Sequence, residues 1–197
     1  MTHVVFFTWN GTHRFEFYHA IEHVTPESDY PLHMHVCCEL YLFVKGPATE
    51  YTVEDNRFFL QPGDIVLTKS DEMHCPKFMT GGDYECFYLK IPNDIFTGFS
   101  SRMQSPLHCF LERPFGKQNL RMHEEDQQLC IRLCYQISQQ RGLPHDNSRL
   151  LCFAYILQML AVVNHAFDHS LSQPSNSILS PLMQEILGYI NGNITAI

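Results

Sequence analysis

Basic residues are scarce in this chain of 197 residues, which has 13 Lys and Arg against 21 Asp and Glu and a formal charge of −8. Binding nucleic acid over a broad surface requires clustered Lys and Arg, so this composition argues against that mode of binding for the chain itself. Charged residues make up only 17% of the sequence and hydrophobic residues 45%. These fractions exclude intrinsic disorder and predict a folded core.

Targeting segments and membrane spans are also missing from the sequence. The apolar run at residues 4–9 is too short for a signal-peptide core and has no basic residues before it. The longest apolar stretch, residues 150–163, is interrupted by Gln158 and is shorter than the roughly 20 residues that a membrane span needs. We therefore predict a cytoplasmic protein without a membrane partner.

The eight cysteines form no CxxC pair and are scattered from position 37 to position 152. This pattern is not typical of a disulfide scaffold in a small secreted domain. Cys130 and Cys134 are one helical turn apart among apolar residues, which predicts that they lie in a core. The sequence therefore predicts free thiols in a reducing compartment.

Up to about residue 92 the sequence has the two-residue period of β-strands. Residues 14–23 alternate, with Phe15, Phe17 and His19 on one face. Further short β-rich runs follow at residues 40–44, 51–53, 57–60, 64–68 and 84–91. Turn-forming segments such as Gln61-Pro62-Gly63-Asp64 separate them. Many short strands between turns predict a mainly β sandwich or barrel, which we assign to residues 1–120.

Beyond residue 120 the period becomes helical. One helix is predicted before Gly142, and a second over residues 147–167. The second is apolar almost all round, so it must be covered on more than one side. We predict that residues 121–169 form two antiparallel helices that pack on the barrel and make a homodimer.

The last part of the sequence predicts a linker followed by a third helix. Residues 170–180 contain several Ser residues and Pro174, a composition typical of linkers. A short amphipathic helix is predicted over residues 181–191. Because that helix would have nothing to pack against before Ile197, we expect the sequence to be part of a longer protein.

The most specific feature is a series of His, Glu and Gly residues. They are His33, His35, Glu39, Gly46, Gly63 and His74. Residues of one parity share a strand face, so His33, His35 and Glu39 point the same way, together with Cys37 and Tyr41. If that face lines a barrel and His74 joins them, three imidazoles and a carboxylate converge. Such a set can bind Zn²⁺, Ni²⁺, Mn²⁺ or Fe²⁺. A polar pocket lining without metal is the plainer interpretation.

This series resembles the two conserved motifs of the cupin superfamily. The second motif departs from the pattern of metal-binding cupins, because Lys69, Asp71 and Phe78 stand where those proteins have Pro, Gly and Asn. With Glu39-Leu40-Tyr41 and residues 60–67 included, the pattern is similar to the effector-binding domain of AraC/XylS-type transcription regulators. Residues 186–193 resemble the opening helix of their DNA-binding domain.

The resemblance implies a cupin-type double-stranded β-barrel, or jelly roll, followed by dimerising helices. It also implies that residues 181–197 begin a truncated helix-turn-helix domain, and that the missing part of this domain contacts DNA. The barrel would bind a small effector, often a sugar in this family, and an N-terminal arm at residues 1–12 would close over it. The candidate effector-binding residues are Phe15, Phe17, His33, His35, Glu39, Tyr41 and His74.

Aromatic and hydroxyl-pairing side chains in this set favour a sugar-like effector. If a metal is bound, its candidate ligands are His33, His35, Glu39 and His74, and it would organise effector oxygens rather than activate dioxygen. The sequence has no serine-hydrolase elbow, phosphate loop or dinucleotide fingerprint, which gives little support to nucleophilic catalysis. The regulator domain that the resemblance implies has no catalysis of its own, so we predict that the chain is not an enzyme. The alternative is a stand-alone metal-dependent cupin enzyme, either a dioxygenase or a sugar isomerase.

Overall fold

Two β-sheets packed face to face form the framework of the computed structural model, which describes residues 2–9, 13–28, 30–97, 104–140 and 146–171. The strands are β1 (Thr2–Trp9), β2 (His13–Val24), β3 (Cys37–Lys45), β4 (Thr49–Val53), β5 (Asn56–Phe59), β6 (Ile65–Thr68), β7 (His74–Phe78), β8 (Gly82–Pro92) and β9 (Asn119–Leu120). The helices are α1 (His108–Leu111), α2 (Glu124–Gln139) and α3 (Asp146–Ser170).

Within these residues the sheets have the topology of a jelly roll. The larger sheet has the strand order β1-β2-β8-β3-β6-β9 and the smaller sheet the order β5-β4-β7, with antiparallel pairing throughout. Strands distant in sequence, such as β2 and β8, are neighbours, as in double-sheet jelly rolls. The predicted β-barrel followed by helices is confirmed. The predicted linker overlaps the end of α3, and residues 172–197, with the predicted third helix, lie outside the described residues.

Both faces of the larger sheet contribute side chains to apolar cores. On β3, Leu40 and Leu42 belong to a cluster that continues into α2 and α3, on the outer side of the sheet. Tyr41 and Phe43 belong to a second cluster, which lies between the two sheets. The alternating side chains of one strand therefore serve two separate cores.

Helix α3 is the cover of the outer face. Over Asn147–Ser170 it is long and apolar enough to cross a membrane by length and composition alone, which corrects the sequence estimate of a shorter apolar stretch. Its buried side chains include Phe153, Ile156 and Leu160, all within the core cluster that continues into the sheet. This packing identifies α3 as a core helix.

The turn before β6 explains the Gly of the second motif. Gly63 has φ +88°, in the left-handed region that Gly adopts without strain. A Cβ there would also clash with the side chain of Gln127. Asp64 closes the turn by accepting a hydrogen bond from the N–H of Gln61 at 2.9 Å, and Arg121 donates to both of its carboxylate oxygens at 2.8 Å.

Two further expectations concern the cysteines and the N-terminal segment. All eight cysteines are free thiols, as predicted, and six of them are buried. Residues 2–9, which were expected to act as an arm over the ligand, instead form β1, which pairs with β2 from Thr2–Ala20 to Trp9–His13. An apolar run with β-branched residues is better satisfied by strand pairing than by a free arm.

Candidate functional site

Three histidines come together between the two sheets. His33 makes an isolated β-bridge with His74, in which each N–H donates to the carbonyl of the other residue, at 3.2 and 2.8 Å. The rings of His35 and His74 have centroids 4.9 Å apart. One ring nitrogen from each of the three lies within 4.8 Å of the others. His33 and His35 precede β3 rather than lying on it, because the strand begins at Cys37.

Glu39 extends from β3 towards these histidines. Its Oε2 lies 3.0 Å from Nε2 of His35, and its Oε1 lies 3.6 Å from Nε2 of His74. Glu39 and His74 are almost completely buried. The four residues, His33, His35, Glu39 and His74, are called the His–Glu cluster below.

Each imidazole of the cluster is held at Nδ1 by a backbone carbonyl two residues away. A carbonyl oxygen can only accept a hydrogen bond, so Nδ1 carries a proton in each ring and Nε2 is the atom that can meet a ligand. Metal-binding histidines are oriented in this way by the nitrogen that does not bind the metal. The Nδ1–O distances are 3.0 Å for His33 and Pro31, 3.1 Å for His35 and Cys37, and 2.8 Å for His74 and Glu72.

The cluster fits a divalent metal ion. Nε2 of His74 is buried and has no hydrogen-bond partner in the described part of the chain. Such an unsatisfied buried group typically costs about 1–3 kcal/mol, which a bound cation would offset. Three imidazole nitrogens and one carboxylate are a suitable donor set for Zn²⁺, Fe²⁺, Mn²⁺ or Ni²⁺.

Without a metal, His35 and Glu39 stabilise each other's charges. Burial lowers the pKa of His35, but hydrogen bonds with Cys37 and Glu39 and the charge of Glu39 outweigh it and raise the pKa to about 10. Burial raises the pKa of Glu39, but the hydrogen bond from His35 and the nearby charge of His74 hold it below its usual range. The pKa of His74 is lowered, mainly by burial. At neutral pH the metal-free site therefore holds a His35–Glu39 ion pair.

The turn before β7 contains Lys69 and Asp71, which depart from the motif of metal-binding cupins, but hydrogen bonds hold the turn in place. Asp71 has φ +67°, a left-handed conformation that Asp adopts more readily than most residues. Its N–H donates to the carbonyl of His35 at 3.0 Å, which ties the turn to the cluster. Glu72 accepts from the N–H of Lys69 at 2.7 Å, and Arg113 donates to both of its carboxylate oxygens at 2.6 Å.

A cleft of about 520 Å³ opens beside the His–Glu cluster. Its volume is within the range of roughly 300–1,000 Å³ that is typical of small-molecule sites. The cleft is lined by Arg14, Glu16, His35, Val36, Cys37, Lys90, Pro92, Asn93 and Asp94. In the strand register Glu16, Lys90 and Glu39 are direct neighbours across β2, β8 and β3, so they share the inward face of the sheet.

Phe15 and Phe17 do not lie on this inward face, so placing them in the barrel lining was wrong. Phe15 packs against Phe153 of α3 with ring centroids 6.0 Å apart, and Phe17 stacks on Phe87 at 5.7 Å. Both are fully buried in the outer cluster. The helices cover the outer face of the sheet, and the apolar face of β2 turns towards them.

Tyr41 does face inward, but it lies deeper than the cleft. Its hydroxyl is 2.7 Å from that of Tyr84, and its ring centroid is 4.7 Å from that of Tyr51. Burial raises the pKa of Tyr41 well above its usual value. Its hydroxyl group forms a hydrogen bond with that of Tyr84, and its ring belongs to the aromatic packing between the sheets.

Four charged residues of the cleft were not found from the sequence: Arg14, Glu16, Lys90 and Asp94. A signal for Glu16 existed, because it lies on the face of β2 opposite Phe15. Lys90 carried no comparable signal, since its proximity to Glu39 depends on the pairing of β8 with β3.

A jelly-roll barrel with a His–Glu cluster beside a cleft and helices on its outer face defines a cupin-type ligand-binding domain. A family model described as the AraC-like ligand binding domain matches residues 5–152. The chain belongs to this family. No curated protein matches the sequence.

Solved structures with a similar fold include three proteins of known source. A cupin-family protein from Methanocaldococcus jannaschii is 21% identical, with 45% of this chain and 80% of that chain covered and a TM-score of 0.35. The DMSP lyase DddQ of Ruegeria pomeroyi is 22% identical, with 40% and 39% covered and a TM-score of 0.35. A mutant salicylate 1,2-dioxygenase of Pseudoaminobacter salicylatoxidans is 18% identical, with 38% and 22% covered and a TM-score of 0.33. Likeness at this level says nothing about what the chain binds.

The metal-free protein is expected to lose part of its stability as the pH rises from 6.5 through about 10. Folding raises the pKa of His35 from 6.5 to about 10. The protonated form of His35 therefore stabilises the folded state fully below pH 6.5 and progressively less above it. Glu39→Gln removes the partner charge. The difference in free energy of unfolding between wild type and this variant should therefore shrink as the pH rises, as measured by urea unfolding of metal-stripped proteins.

The control for this series is Glu112→Gln, which changes an exposed carboxylate. It should show no such pH-dependent difference from wild type. If the difference in free energy of unfolding between wild type and Glu39→Gln stays constant over the same pH interval, the His35–Glu39 ion pair is contradicted.

Proposed function

We propose that this chain is the effector-sensing part of a cytoplasmic AraC/XylS-type transcription regulator, which binds DNA through a helix-turn-helix domain outside this chain. The observation that carries the proposal is the cleft beside the His–Glu cluster, in a chain of the AraC-like ligand-binding family. The scarcity of basic residues supports it as well, because DNA contact would then fall to another domain.

The effector is a small, oxygen-rich molecule, with a sugar-like compound as the favoured class. The cleft has room for a ligand of that size. Its polar groups come from His35, Glu16, Lys90 and Arg14, which offer both donors and acceptors to hydroxyl groups. The aromatic residues first expected to stack on a sugar, Phe15 and Phe17, take no part in this site.

A divalent metal held by the His–Glu cluster is part of this proposal. The Nε2 atoms of His33, His35 and His74 and the carboxylate of Glu39 would hold the ion. When bound, the metal supplies a positive charge that attracts effector oxygens. The chain's own contribution is to fix the three ring orientations through the backbone carbonyls and to shield His74 and Glu39 from water.

Dimerisation through the helices is the third part of the proposal. The outer surface of α3 exposes Leu150 and Leu151, which are 59% and 43% accessible. Burial of two such side chains on a second copy would be favourable by roughly 1.5–3 kcal/mol for each fully buried side chain. A dimer of this kind would place two DNA-binding domains side by side, as recognition of paired half-sites requires.

A metal-dependent cupin enzyme, either a dioxygenase or a sugar isomerase, is the second candidate function. The His–Glu cluster favours it, because open coordination positions on a metal suit catalysis as well as binding. We propose the sensor in preference, because the family match is to a ligand-binding domain of regulators.

Metal binding is tested by titrating Ni²⁺ and Zn²⁺ into metal-stripped protein in a calorimeter. We expect a single ion per chain. His33→Ala should weaken binding by more than the roughly 10- to 100-fold that loss of an outer-sphere partner costs. His33 is exposed, so this variant should keep its fold. His23→Ala, at an exposed histidine paired with Asp83, is the matched control and should bind as wild type does. Equal affinity in His33→Ala and wild type would contradict the site.

Dimerisation is tested by light scattering at micromolar concentration. We expect twice the mass of the chain for the wild type and a monomer for Leu151→Glu, because the new charge would lie in the interface. Phe59→Glu changes an apolar residue of the smaller sheet that is 64% accessible, more than Leu151 at 43%, and this variant should remain dimeric. A monomeric wild type would refute this part of the proposal.

The regulator itself is tested with the complete protein encoded by the native gene. Its affinity for DNA upstream of its own operon should change when a compound that binds the cleft is added, typically by about 5- to 150-fold for a coupled system. Substrate turnover by the purified protein, together with unchanged DNA affinity at saturating effector, would instead favour the enzyme.

A further inference from the structure

The cleft contains the ammonium group of Lys90, a half-buried residue that forms no direct ion pair with a carboxylate of the described residues. Lys90 lies on β8 between Glu16 of β2 and Glu39 of β3, in one row across the sheet. Despite these two acidic neighbours, its Nζ is within ion-pair distance of neither. The contact that the structure gives it is the ring of Tyr18, whose centroid is 5.9 Å from Nζ.

Both neighbouring carboxylates are engaged elsewhere. Glu16 accepts a hydrogen bond from the hydroxyl of Tyr18 at 2.8 Å, and its other oxygen is 3.8 Å from Nε of Arg14. Glu39 is turned towards the histidines of the His–Glu cluster. The two acids that flank Lys90 in the sheet therefore hold other partners at direct contact distance, and Lys90 lines the cleft.

An ammonium group without a direct counter-ion can form a charge-assisted hydrogen bond with an anionic ligand. The acidic residues around it limit how much negative charge the ligand can carry. A single carboxylate balances Lys90, whereas a doubly charged phosphate would be repelled by Glu16, Glu39 and Asp94. The distribution of charge in the cleft therefore favours a monoanion.

We propose that the effector is a small organic carboxylate, whose carboxylate group pairs with Lys90 while its hydroxyl or carbonyl oxygens face the His–Glu cluster. This inference rests on the proposed effector-binding role of the cleft. It narrows the favoured sugar-like class to sugar acids and hydroxy acids, and it makes Lys90 the residue that selects them over neutral sugars.

The experiment compares acids with their uncharged amides on the whole chain. The probes are glucuronate with glucuronamide, gluconate with gluconamide, and lactate with lactamide, followed by NMR shift changes and calorimetry. Glucose phosphate serves as the phosphate probe. Each titration is run on metal-free and on Ni²⁺-loaded protein. The variants are Lys90→Met, Lys90→Arg and, as matched control, Lys77→Met at an exposed lysine of the smaller sheet.

At least one acid should bind more tightly than its amide and than glucose phosphate. Lys90→Met should lower the affinity for that acid by about 10- to 100-fold, which corresponds to the loss of a hydrogen bond to a charged group. The variant should then bind the acid no more tightly than its amide. Lys90→Arg should retain most of the preference, and Lys77→Met should change nothing. Amides that bind as tightly as acids, acid binding that survives Lys90→Met, tighter binding of the phosphate, or no binding by any acid would each overturn the inference.

The result for Lys90 can be distinguished from the result for the proposed function. Acid-selective binding by metal-free protein would support the role of Lys90 even if no metal binds. A change in DNA affinity of the complete protein with a neutral effector would support the sensor and overturn the carboxylate.

Discussion

The large β-sheet has to be covered on both faces, and the positions of the site and of the helices follow from that constraint. Its outer face is apolar and is closed by α2 and α3. Its inner face is closed over most of its area by the aromatic residues between the sheets, including Tyr41, Tyr51 and Tyr84. Where this aromatic packing ends, the inner face carries Glu16, Lys90 and Glu39, and there the cleft opens. The candidate binding site is therefore the part of the inner face that apolar packing leaves free.

The His–Glu cluster connects the two sheets by electrostatics rather than by apolar contact. Glu39 comes from the larger sheet and His74 from the smaller one, with His33 bridged to His74 through the backbone. A buried carboxylate is tolerated only when it is paired, and in the absence of metal the partner is the protonated His35. A metal ion would have to displace that proton, because both occupy Nε2 of His35. Metal and proton are thus alternative ways of balancing the same buried charge.

The sequence predicted the residues whose relation is local and misplaced those whose relation depends on the tertiary fold. His33, His35 and Glu39 lie within one short segment, and the turn at Gly63 indicates a strand before His74. These four residues could therefore be identified from the sequence. The alternation of β2 was also visible, but parity alone does not say which face turns inward. That choice depends on the helices, and Phe15 was assigned to the wrong side. Lys90 could be placed only with the register between β8 and β3, which no local pattern encodes.

Strand β2 links the cleft to the helices within three consecutive residues. Arg14 and Glu16 line the cleft, while Phe15 between them packs on Phe153 of α3. A few residues further, His19 and Tyr135 of α2 both bind the carboxylate of Glu85, at 2.8 and 2.6 Å. A shift of β2 that changes contacts in the cleft on one face must therefore alter helix packing on the other, because the outer face is closely packed against the helices. Regulation by an effector requires only that two positions of this strand bind it with different affinity.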